Sequence, residues 1–90
     1  MSVTTVHHIY VAFDYPPGDH TSPDWEVTVN NAIFDLKREV DHIHYCHIDS
    51  GSEPSVVESQ TDRLHSAHTF QMQLKLLLDA YGCNVHMENT

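Results

Sequence analysis

The sequence predicts an α/β domain: a small two-layer β-α-β-α-β unit with a three-stranded, parallel sheet and two helices on one face. Two observations carry that expectation. Apolar residues repeat at helical spacing in two segments, and three short stretches between and around them are rich in β-branched and aromatic residues. Ninety residues make one domain, 1–90, near the lower limit of what folds without disulfides or metal, and the 40% apolar content suffices for a core.

Val6 to Phe13 reads as the first strand, with Ile9, Val11 and Phe13 on one side and His8, Tyr10 and Ala12 on the other. Tyr15-Pro16-Pro17-Gly18-Asp19-His20-Thr21 is a loop. Ser22-Pro23-Asp24 opens a helix: Ser supplies an N-cap acceptor, Pro suits the first turn, and Asp favours the positive end of the dipole. Trp25, Val29, Ala32, Ile33, Leu36 and Val40 form its inner stripe.

Asp41 to Ile48 reads as a second strand, with His42, His44 and Cys46 on one side and Ile43 and Tyr45 on the other. After a loop around Ser50-Gly51-Ser52, helix-start chemistry at Pro54-Ser55 begins a long helical pattern reaching Tyr81, closed by Gly82. Ala67, Phe70, Leu74, Leu77, Leu78 and Tyr81 are its core stripe, and Cys83 to Glu88 alternates as a third strand. Each strand offers one apolar face and one containing His, so the helices cover one side and a His-rich face stays open. An antiparallel or mixed α+β sheet is the alternative.

Such a second helix is too long for its sheet, about 40 Å against about 20 Å for a six-residue strand. Either it breaks in its polar first half, between Ser59 and Ser66, or it overhangs and packs on a second copy or a partner. His65, Met72 and Leu76, away from the core stripe, favour the overhang.

The charge balance narrows the partners. Four Lys and Arg against 13 Asp and Glu give −9, which disfavours nucleic acid and anionic membranes and steers a basic protein toward the chain. Scattered acids of this kind also serve solubility alone. Nine histidines cancel most of that charge between pH 5 and 6, in keeping with a pI near 5.2. With two cysteines, no signal-like start and no membrane-length apolar run, a cytoplasmic setting with reduced thiols is expected.

Three function classes compete. The first is a small interaction protein, an inhibitor with the profile of viral or mobile-element factors that bind and block a host protein. Phe34, Met72 and Leu76 are its apolar contacts, His65 lies beside them, and Asp35, Glu39 and Asp62 are its charge complements. It binds a basic surface and self-associates, and in a stricter version its acids imitate nucleic-acid phosphates. The second is a ligand-binding domain or enzyme using Asp14, His20, Asp49 and Ser50 at strand ends, where open α/β sheets bind ligands. It lacks a Gly-rich phosphate motif and a local Lys or Arg. The third is a zinc module using His42, His44 and Cys46, weakened by the absence of paired Cys-x-x-Cys. No cofactor is expected under the first reading.

Overall fold

The computed structural model describes residues 5–15, 23–50 and 54–86, with the side chains of 23–25 excepted. The chain runs β1 (His7–Asp14), α1 (Pro23–Glu39), β2 (Ile43–Asp49), β3 (Ser55–Thr61), α2 (Leu64–Ala80) and β4 (Asn84–His86). The strands form one four-stranded sheet in the order β2-β3-β1-β4, every neighbouring pair antiparallel. The expected three-stranded parallel sheet is therefore incorrect. Because β1 and β2 are each antiparallel to β3, they run the same way, and α1 does cross between parallel strands. The strand inserted between them is β3. This split β-α-β connectivity is that of ferredoxin-like domains, an arrangement that carries no activity by itself.

The missing strand comes from residues read as the start of a long helix. Val56, Val57 and Thr61 are β-branched and favour extended backbone, and burial along 55–61 alternates without a break. The buried side is Ser55, Val57, Ser59 and Thr61. Only one of those is apolar, so the period-two hydrophobic signal of a strand is absent. With β3 removed from it, α2 has 17 residues, about 25 Å, and matches the sheet. The overhang, and the self-association argued from it, lose their premise.

Both helices pack on one face of the sheet and on each other. Ile9, Val11 and Phe13 of β1, Val29, Ile33 and Leu36 of α1, and Phe70, Leu74 and Leu78 of α2 make the buried core, joined by Ile43, Val57, Ala67 and Cys83. Of the inner stripe foreseen for α1, Val29, Ile33 and Leu36 are buried and Ala32 and Val40 half-buried; the Trp25 side chain and Ser22 lie outside what is described. Tyr15 fastens the end of β1 to α1. Its ring meets Phe13 edge-on at 5.0 Å, and its hydroxyl donates to Asn30 Oδ1 at 2.8 Å.

Two backbone features set the strand faces. Helix α2 closes as foreseen at Gly82 (φ 80°): Gly82 N–H donates to the Asp79 carbonyl and Cys83 N–H to the Leu78 carbonyl, a Schellman pair that needs a left-handed residue. At the other turn His42 takes φ 68°, and β2 then bulges, with Ile43 opposite Thr61 and Tyr45 opposite Gln60. His44 is the extra residue. The bulge breaks strict alternation, so Ile43 and Cys46 turn to the core side while Tyr45 and His47 turn outward. The expected row of His42, His44 and Cys46 on one side is corrected accordingly. Strand β4 is described over Asn84–His86, with Cys83 before it buried and Val85 half-buried, and Met87 and Glu88 of the expected strand lie outside the described residues.

Candidate functional site

The helix layer carries the exposed apolar residues singled out from the sequence: Phe34 is 40%, Met72 63% and Leu76 58% exposed. These values are high for large side chains on helices whose other faces are fully buried. Between the helices runs an open groove of about 400 Å³, walled by Asp35, Leu36 and Glu39 of α1 and by Gln73, Leu76 and Leu77 of α2. Helical spacing explains the wall. Asp35 and Glu39 are four apart, as are Gln73 and Leu77, so each helix turns consecutive rungs to the same groove. Its base is apolar and its α1 rim acidic.

Asp35 pairs with Arg38 one turn on, both side chains largely exposed. Exposed pairs of this kind contribute at most about 1 kcal/mol, so Asp35 can exchange Arg38 for another cation. Glu39 also borders a second depression of about 300 Å³, shared with Asp41, His42, His65 and Thr69. The acidic rim thus continues past the end of α1, where the helix dipole adds partial negative charge. Asp35, Glu39 and Leu76 meet in one groove, and His65 adjoins it through Glu39. Phe34 does not wall this groove. Met72 sits on another shallow surface with His68, Gln71 and Lys75. Asp62 lies in the turn before α2, where its contact with His44 Nε2 at 3.3 Å lowers its pKa.

The other two constellations do not assemble. Among the described residues no group of three or more His, Cys, Asp or Glu converges as metal ligands would. His42 is in the left-handed turn, His44 reaches Asp62 from the bulge, and Cys46 faces the core side. Burial pushes the Cys46 thiol up, the opposite of an activated nucleophile; the Ser59 hydroxyl beside it and Lys37 soften the rise. Burial likewise pushes Cys83 up to about 11. Asp14 and Asp49 end parallel strands at the same end of the sheet, but β3 lies between them, two strand spacings or about 10 Å. Asp14 is engaged by His86 Nε2 at 2.5 Å, Ser50 is half-buried, and His20 lies outside the described residues.

What sequence reasoning missed is the middle of the open sheet face. Cross-strand register places His47, Glu58 and Tyr10 in one row and Tyr45, Gln60 and His8 in the next. Glu58 and Gln60 were hidden because 55–61 read as helix; the run of β-branched residues around them was the available signal. None of the four Lys and Arg lies in a strand: Lys37 and Arg38 are on α1, Lys75 on α2, and Arg63 in the turn between β3 and α2. No described helix is long and apolar enough to cross a membrane. Compared with protein families, curated proteins and solved structures, the chain shows no match, and its site rests on its own residues.

Proposed function

We propose that this chain is a small acidic interaction protein whose helix layer docks on a basic, partly apolar surface of another protein and blocks it. The carrying observation is the groove that joins Asp35 and Glu39 to Leu36, Leu76 and Leu77. An apolar base removes area from water on binding, and an acidic rim steers and orients a cationic partner. This pairing suits a protein surface better than a small anion. Nucleic acid is disfavoured in the same terms: single strands are bound by aromatic platforms beside cationic grooves, and these strands hold no Lys or Arg.

A second copy is the competing occupant, favoured by Leu64, Met72 and Leu76, all exposed along α2. Sedimentation separates the two. A monomer at micromolar concentration leaves the groove for a different protein. The direct test is affinity capture of basic proteins by the wild type and by Glu39→Lys/Leu76→Glu. Both positions are exposed, so the variant keeps its fold, verified by circular dichroism. A basic protein captured by the wild type and released by the variant supports the reading. Equal recovery by both defeats it.

A further inference from the structure

On the opposite side of the molecule, the open sheet face carries a second recognition surface with different chemistry. His8 and Tyr10 of β1 stack along the strand with centroids 6.2 Å apart and planes within 11°. Tyr45 and His47 of β2 do the same at 6.4 Å and 26°. Strand β3 lies between them, so the backbones that carry the two ring pairs run about 10 Å apart, with Glu58 and Gln60 on the strand between. Tyr10 is 55% and Tyr45 42% exposed, too open for core residues. Glu58 is half-buried and, among the described residues, accepts one long side-chain hydrogen bond, from the Tyr10 hydroxyl at 3.5 Å. A carboxylate has room for about four donors, so most of its capacity is unused.

We infer that this surface is a docking site for an arginine side chain of a basic partner segment, with Glu58 as the anion and the flanking rings as π-walls. The argument is charge and shape complementarity. All the strands lack Lys and Arg, so the basic side chains beside Glu58 on this face are the imidazoles of His47 and His8 and no permanently charged one. Ring surfaces within about 6 Å of a bound cation attract it. A guanidinium is flat, weakly hydrated and offers five donors in a fixed fork. Glu58 can take two of these, and the Gln60 amide oxygen another. A lysine ammonium is a compact, strongly hydrated point charge that uses neither the flat walls nor a second acceptor so well.

The test is calorimetric titration of the purified protein with two Gly/Ser-spaced peptides of equal length, one bearing three arginines and the other three lysines. The arginine peptide is expected to bind about tenfold tighter than the lysine peptide. Glu58→Gln should weaken it by about tenfold or more, and Tyr10→Leu and Tyr45→Leu by several-fold. Asp79→Asn, at an exposed α2 position outside both surfaces, removes the same charge and should change affinity less than about threefold. Equal binding of both peptides, no binding of either, or equal losses from Glu58→Gln and Asp79→Asn would overturn the inference. The helix-groove reading is decided separately, since its variants leave every residue of the sheet face intact.

Discussion

Strands β1 and β3 lie side by side through seven paired positions and share the same two environments, helices on one side and solvent on the other. They fill the covered side in different ways. Strand β1 turns Ile9, Val11 and Phe13 inward, while β3 turns Ser55, Val57, Ser59 and Thr61. The first is a strand by hydrophobic alternation. The second is a strand because its neighbours need one, held by backbone pairing on both edges with β1 and β2. Hydrogen bonding along two edges and small side chains that fit under the helices replace most of the apolar burial a central strand ordinarily supplies.

The sharpest way to break this contrast is to remove bulk from each strand. Phe13 is fully buried against the helix layer, and Phe13→Ala should cost about 3–5 kcal/mol from lost transfer energy plus the cavity left behind. Domains of this size hold only about 5–15 kcal/mol in total, so the variant should be largely unfolded or melt far below the wild type. Urea titration followed by circular dichroism reads this directly. A loss under about 1 kcal/mol would mean that β1 does not anchor the core.

A smaller effect lies where β1 ends. Burial, with Glu26 and Cys83 nearby, raises the Tyr15 hydroxyl from 10.0 to about 12. Burial raises the Cys83 thiol from 9.0 to about 11. Both groups are harder to ionise in the fold than in the unfolded chain. The stability they confer is complete below the unfolded values and is withdrawn as pH climbs through the folded ones. Melting temperature should therefore be flat with respect to these groups up to about pH 9 and fall between about pH 9 and 12. Tyr15 is only partly buried, and solvent screening reduces its share to the order of 1 kcal/mol. Tyr15→Phe/Cys83→Ala should flatten that alkaline decline. An unchanged slope would remove both groups from the account.

The contrast between these strands also explains what was legible in the sequence. Strand β1 and both core stripes were, because Ile9, Val29, Phe70 and their periodic neighbours are apolar at the spacing burial demands. The stop of α2 was legible in Gly82, where only a left-handed residue completes the Schellman bonds. Strand β3 was not, since a Ser-Thr inner face gives no binary pattern and Pro54-Ser55 imitates a helix start. The bulge at His44 was equally silent, and it dispersed the His-x-His-x-Cys row into a turn, a surface contact and a half-buried thiol. The groove was half legible. Helical phase placed Asp35, Glu39 and Leu76 off the core stripes, but only the packing of α1 on α2 brings them face to face.

The finest comparison lies within β3 itself, between two buried hydroxyls two residues apart. Thr61 Oγ1 accepts the Arg63 N–H at 3.1 Å, satisfying a donor at the turn into α2, whose N-cap residue Arg63 offers no side-chain cap of its own. Ser59 Oγ lies beside Cys46 and, among the described residues, makes no hydrogen bond of ordinary geometry. A partnered hydroxyl contributes about 1 kcal/mol, whereas an unpartnered buried one costs comparable free energy to desolvate. Thr61→Val preserves shape and should destabilise by about 1 kcal/mol. Ser59→Ala should be close to neutral, within about 1 kcal/mol, since the hydroxyl's only polar neighbour among the described residues is the weakly hydrogen-bonding Cys46 thiol. Equal losses from the two substitutions in chemical denaturation would show that Ser59 is held by a partner as firmly as Thr61, and that the inner face of β3 is a satisfied polar layer throughout.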